Sequence, residues 1–416
     1  MIKKERISSL ETRENTLVEM SDLFEKCFNF TRADEIKAMG IYPYFNPISS
    51  PPGDEVVIDG KTLIMIGSNN YMGLTDDIRV KEAAADAALK YGSGCTGSRF
   101  LNGTLDLHIR LERELADFFE REAALVYSTG FQTNLGTISC LVNKGDTIVA
   151  DRSNHASIVD GCRLSFGRLV KFAHNDMEDL ERVVKNVRET NGKGGILIVA
   201  DGVFSMEGDI IKLPDMVRVA RKYGCRIMID DAHSVGVLGK NGRGTASHFG
   251  LDNEVDITMG TFSKSFASLG GFIVADERVI NYIKHISREL IFSASIPPSA
   301  TAAVLKALEI IRTEPERREN LWKNARRMLR EFKTLGFDTG TSETPIVPIL
   351  IGDDLDCFRF WKELYDNGVF ANPVISPAVA PGRALMRTSY TATHTNRQLD
   401  RVLEVFERVG KKMGVI

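Results

Sequence analysis

From about residue 61 onward, short apolar runs alternate with longer segments of helical periodicity. The runs fall at 62–66, 124–127, 147–150, 196–200, 226–229, 257–259 and 271–274. Most are continuous rather than alternating, as in strands covered on both faces. Between them, segments such as 105–119 and 177–190 repeat their apolar positions with the period of a helix. Strand, helix, strand in repetition predicts an α/β fold with a mostly parallel central sheet and right-handed crossovers.

Past Pro297-Pro298 the rhythm changes. Helices are predicted over 299–312 and 314–335, strands around 346–351 and 384–388, and a helix at the end, which is the pattern of a smaller C-terminal α+β domain. The beginning differs again. A polar, helix-prone stretch leads to Ile41-Tyr42-Pro43-Tyr44-Phe45 and then to the breaker cluster Ser49-Ser50-Pro51-Pro52-Gly53. The expected organisation is an N-terminal arm over 1–60, a large domain over 61–296 and a small domain over 297–416.

Composition narrows the classes. A chain of 416 residues with 43% apolar and 26% charged residues has a globular profile and room for a large core. Lys plus Arg is 53 against 56 for Asp plus Glu, so the basic surplus that usually marks nucleic-acid binding is missing. No window approaches the roughly 20 apolar residues of a membrane span, though the arm leaves room for peripheral membrane contact. The opening residues are charged and contain no apolar signal core. The six cysteines are scattered without a C-x-x-C pair, which favours reduced thiols over disulfides or zinc. A cytoplasmic enzyme is expected.

In open α/β sheets, ligands bind beyond the carboxyl ends of the strands, so the residues after each run are the candidates. Ser128-Thr129-Gly130-Phe131 opens a helix, and free N–H groups at such a start suit a phosphate. Asp151-Arg152-Ser153-Asn154-His155 places His155 where it could stack on a planar ligand or bind a carboxylate; a capping Asn beside a structural His is the alternative. Asp230-Asp231-Ala232-His233 ends a buried run with a carboxylate, which needs a cationic partner. A protonated pyridine nitrogen is one candidate, whereas a metal pair lacks further ligands nearby. Thr261-Phe262-Ser263-Lys264 sets a lysine in a small hydroxyl-rich loop between two buried runs. Desolvation there would lower its pKa and make the amine nucleophilic. Gly92-Ser93-Gly94-Cys95-Thr96-Gly97 formally matches a dinucleotide fingerprint but follows a helical segment, not a strand.

Together these pieces resemble the α-oxoamine synthase family of fold-type I pyridoxal-phosphate (PLP) enzymes. Further matches are Ser68-Asn69-Asn70-Tyr71-Met72-Gly73-Leu74, Gly97-Ser98-Arg99-Phe100-Leu101-Asn102-Gly103-Thr104 and Phe292-Ser293-Ala294-Ser295-Ile296-Pro297-Pro298, so the resemblance runs from about residue 40 to the C-terminus. The segment 96–104 with Asp106-Leu107-His108 most resembles the bacterial branch that condenses L-serine with palmitoyl-CoA. Asp231, where Glu is frequent, and Phe131, where Tyr or another aromatic is frequent, depart from the pattern.

The resemblance implies roles. Lys264 would hold the cofactor covalently and shuttle the substrate Cα proton. Asp230 would pair with the pyridinium nitrogen, and His155 would lie over the ring. His233, with Thr261, would address the ring oxygen or the phosphate. Gly130, Phe131 and Ser263 would hold the phosphate, and Ser293 would reach the phosphate of a second subunit, implying a homodimer with shared sites. Asn70 and Arg387 would bind the amino acid. The implied reaction is a decarboxylating condensation of L-serine with a long-chain acyl-CoA, with other α-oxoamine syntheses as the alternative.

Overall fold

The computed structural model describes residues 22–416. Two units are distinct: one ends at Tyr44 and the other runs from Phe45 to Ile416. The described part of the first carries two short helices, Glu25–Phe28 and Arg32–Ala38. The remainder of the predicted arm, residues 1–21, lies outside the described residues.

The second unit begins with a hairpin of β1 (Glu55–Ile58) and β2 (Lys61–Met65). Seven strands follow: β3 (Ala123–Tyr127), β4 (Thr147–Asp151), β5 (Arg168–Phe172), β6 (Ile196–Asp201), β7 (Arg226–Asp230), β8 (Ile257–Thr261) and β9 (Gly271–Ala275). They form one sheet in the order β3-β9-β8-β7-β6-β4-β5. Every pairing is parallel except those of β9.

The continuous apolar runs have a simple cause. Successive side chains of a strand point to opposite faces, and both faces here are covered. Ile227 and Ile229 join one core cluster with Val149, Ile198 and Met216, while Met228 between them joins another with Ile148, Val199 and Ile138. The edge strand β5 is half-exposed and carries Arg168 and Lys171, so its apolar signal is weak.

A second core lies under β10 (Ile346–Gly352), β11 (Val369–Phe370), β12 (Asn372–Val374) and β13 (Ala384–Ser389). The boundary expected at residue 60 falls inside the first hairpin. Because β11 pairs with β2, and Val56, Ile58 and Leu63 pack with Phe360 and Phe406, residues 55–65 belong to this second core rather than to an arm. The boundary expected at residue 297 shifts for the same kind of reason. Helix Pro298–Thr313 buries Val304, Leu308 and Ile311 with Leu111 and Phe272, on the side of the large sheet.

Strand direction positions the site. Parallel strands put the turns after β4, β6, β7 and β8 at one sheet edge. Antiparallel β9 can follow β8 after only a short loop, and residues 262–270 form it, with Lys264 inside.

Candidate active site

A cavity of about 230 Å³ opens at that edge. Its wall includes Gly130, Phe131, Asn134, His155, Asp201, Ser205, Asp230, His233, Thr261, Ser263 and Lys264. Eight of the predicted site residues are therefore brought together from four separate turns.

The lysine loop is rigidly held. Phe262 and Phe266 are fully buried in the core, Ser265 Oγ donates to the Val235 carbonyl (2.7 Å), and the Phe262 N–H donates to the Gly270 carbonyl (2.9 Å). Lys264 itself is half-buried, and among the described residues its ammonium has no ion pair. Burial lowers its pKa and outweighs the opposing pull of Asp230, leaving it at about 8. The amine thus has an accessible neutral, nucleophilic form near neutral pH.

Asp230 closes β7 and is buried. Its carboxylate accepts from Asn134 Nδ2 (2.7 Å) and from the Ala232 N–H (2.9 Å). Both donors are neutral, and no cation lies within 4.0 Å among the described residues, so the site is electrostatically incomplete without a cationic N–H. Asn134 also donates to Ser157 Oγ (2.9 Å), while its Oδ1 is buried without a partner among the described residues. Asp201, which closes β6, accepts from the His155 N–H (2.8 Å); burial and then the charge of Asp230 push its carboxyl well above the usual range.

His155 is the N-cap of helix Ala156–Leu164 and bonds Ser157 Oγ through Nδ1 (2.7 Å). Histidine rather than Asn154 takes the capping position, and Asn154 instead bridges to β6 through the Val199 carbonyl (2.9 Å). The His155 ring meets Phe131 edge-on, and burial holds its pKa below the ordinary value. His233 bonds the Tyr71 hydroxyl through Nδ1 (2.7 Å), and burial, then the charge of Lys264, keeps its imidazole neutral.

The phosphate end is equally defined. Helix Gly130–Leu141 presents its N-terminus, and the hydroxyls of Thr261 and Ser263 lie 2.9 Å apart beside it. A Cβ on Gly130 would sit 2.6 Å from Thr261 Oγ1, so only glycine allows this approach. Helix start, paired hydroxyls, lysine and incomplete carboxylate match the phosphate, aldehyde and ring nitrogen of PLP.

Three expected residues stand apart from the cavity wall. Both ends of the Asn70 amide are engaged in its own turn, donating to Thr75 Oγ1 (2.8 Å) and accepting from the Leu74 N–H (3.0 Å). Asn69 is the neighbour that reaches Arg387, accepting from Nη2 (2.9 Å). Arg387 is buried on β13 and also donates from Nε to the Ser205 carbonyl (2.5 Å). Ser293 accepts from Gln132 Nε2 of its own chain (2.9 Å). The sequence reading missed Asn69, Tyr71, Asn134, Asp201 and Ser205. Only Asp201 had a visible signal, being an acid that ends a continuous apolar run, as Asp230 does.

A family model described as aminotransferase class I and II matches residues 61–406. The chain belongs to this family. Among members of the aminotransferase class I and II family, serine palmitoyltransferase from Sphingobacterium spiritivorum is 52% identical over 393 residues, which is 94% of this chain and 98% of the relative. The 8-amino-7-oxononanoate synthase of Thermoanaerobacter pseudethanolicus is 43% identical, spanning 95% of this chain and all of the relative (100%). A solved structure of serine palmitoyltransferase from S. paucimobilis with PLP and myriocin bound superposes with a TM-score of 0.91 at 37% identity, covering 95% of this chain and 100% of that one. Both kinds of relative are α-oxoamine synthases, in line with the motif resemblance. The family is PLP-dependent, and PLP is the cofactor that this site fits.

Proposed function

We propose that the chain condenses L-serine with a long-chain acyl-CoA, palmitoyl-CoA in the leading case, to give 3-ketodihydrosphingosine, CoA and carbon dioxide. The observation that carries this reading is the pairing of an unpaired amine, Lys264 at about 8, with the buried, incomplete carboxylate of Asp230 across one cavity. The serine palmitoyltransferase relatives, at 47–52% identity, support the choice of reaction.

When bound, PLP supplies an electron sink for the pair left at the substrate Cα. The side chains do the rest. Asp230, oriented by Asn134, holds a proton on the ring nitrogen. Phe131 and His155 cover the cavity, and His155, kept neutral, adds no competing charge. Lys264 takes the Cα proton and later returns one. Arg387, fixed by Ser205 and Asn69, presents a guanidinium to the serine carboxylate. In the balance, Cα bonds to the acyl carbon as CoA leaves, the carboxyl departs as carbon dioxide, and a proton returns to Cα.

The reading includes a homodimer with shared sites and a cytoplasmic location. An isolated bridge joins Ser98 to Ala294, and in the two segments it joins Leu101 and Phe292 are 76% and 77% exposed, apolar surface that suits a second copy. All six cysteines are free, and among the described residues no helix is long and apolar enough to cross a membrane.

A donor series with purified protein, PLP and L-serine tests the proposal, following both CoA thiol and carbon dioxide. Palmitoyl-CoA should be preferred. Preference for a short-chain donor, or for another amino acid, would reassign the chain to a different α-oxoamine synthesis.

A further inference from the structure

His174 lies outside the cavity, just beyond β5, yet it joins two of the turns that build it. Its Nδ1 is 3.1 Å from Asp151 Oδ1 and its Nε2 is 3.3 Å from Asp209 Oδ2. Only the doubly protonated ring can donate from both nitrogens. Asp151 is fully buried and begins the turn that ends at His155, where its carboxylate also takes the N–H groups of Ser153 and Asn175 (both 2.8 Å). Asp209 belongs to the loop 202–211 after β6. Asn175 Nδ2 donates to Asp209 Oδ2 (2.9 Å) and to the Ile210 carbonyl (3.0 Å). The same loop carries Ser205, whose carbonyl holds Arg387.

We propose that His174 is a positioning residue for the amino-acid substrate, a staple that locks the His155 turn to the loop through which Ser205 orients Arg387. The inference rests on the reading of Arg387 as the carboxylate-binding residue. Among the described residues, the titratable groups acting on the imidazole are the acids Asp151, Asp209 and Glu207, and its ring also meets the Phe204 ring edge-on, 4.4 Å between centroids. Burial opposes the charge on His174, but the hydrogen bonds and charges of Asp151 and Asp209 outweigh it and push the pKa up to about 10. The staple therefore stays closed throughout the neutral range. Without it, buried carboxylates are left facing one another across the two turns. Next to Asp209 the loop is pinned separately, since the Gly208 carbonyl accepts from Thr344 Oγ1 (2.9 Å). Freedom gained on losing His174 should thus concentrate around Ser205.

The test compares His174→Gln with wild type, both loaded with PLP. Hydrogen exchange should rise at the amides of 203–211 and stay unchanged in β7 and β8. The dissociation constant for L-serine, titrated by the cofactor absorbance, should rise roughly three- to thirtyfold, with the KM for palmitoyl-CoA unchanged. Asp209→Asn, which spares the His174–Asp151 pair, should give a smaller change of the same kind and serves if the first variant does not fold. Unchanged serine affinity in a folded variant, or equal losses for serine and acyl-CoA, would overturn the staple. Should wild type fail to bind serine, the functional reading fails instead, and loop exchange with the affinity for whichever amino acid does bind still decides the inference.

Discussion

Replacing Lys264 by methionine should stabilise the cofactor-free protein. The side chain stays unbranched out to its fourth heavy atom but loses the terminal ammonium. In the folded state the amine titrates near 8, against 10.5 for an ordinary lysine. Each pKa unit is worth about 1.4 kcal/mol, so holding the charged form costs about 3 kcal/mol. Lys264 is only half-buried, and solvent screening reduces the expected gain to about 1–2 kcal/mol. The sign follows from proton counting. Between pH 8 and 10.5 the unfolded chain binds more protons at this site than the folded one, so wild-type stability rises across that window. Urea unfolding of cofactor-free wild type and Lys264→Met at neutral pH and near the top of the window measures both effects. Methionine should lead at neutral pH, and the lead should shrink on the alkaline side. A variant less stable than wild type at both values would refute the reasoning that the amine is held at an energetic cost.

Other changes follow from the same geometry. Asp230→Asn retains a partner for the Ala232 N–H but cannot hold a cationic ring nitrogen; kcat/KM should fall by about 100-fold or more while the melting temperature stays close to wild type. Arg387→Lys replaces a fork held by Ser205 and Asn69 with a point charge, so the KM for L-serine should rise about tenfold with little change for acyl-CoA. Gly208→Ala forces a Cβ to within 2.5 Å of the Ile346 carbonyl at a φ of +72°, and the urea midpoint should show a loss of about 1–3 kcal/mol. An unchanged midpoint would contradict the close approach of that loop to β10.

What the sequence made legible depended on where each signal was local. Strands buried on both faces announce themselves as continuous apolar runs, so β4, β6, β7 and β9 were bounded to within about a residue. Strand β1 offers only Val56-Val57-Ile58 beside an exposed Glu55, and in β5 Arg168 and Lys171 flank Leu169-Val170, so neither was picked out. Within the site, Lys264, Asp230 and His155 were visible because each is unusual just beyond a buried strand. Asn134 was not, since a buried polar residue on the first turns of a helix reads like any amide until Asp230 is seen 2.7 Å away. Arg387 and Ser205 lie 182 residues apart, and no periodicity connects them. The breaker positions and the core clusters divide the chain differently for a related reason. Breakers such as Pro51-Pro52 and Pro297-Pro298 mark turns in the chain, whereas domain membership is set by which core the following residues pack into.

The central claim is that the Lys264 amine and the Asp230 carboxylate together hold PLP in a pocket that admits L-serine. The visible absorption of purified protein reconstituted with PLP addresses it directly, recorded for wild type and Lys264→Ala before and after L-serine. The account predicts a protein-bound visible band in wild type that shifts on adding serine, and no lysine-linked band in the variant. Identical spectra for the two proteins, with no response to serine in wild type, would contradict it.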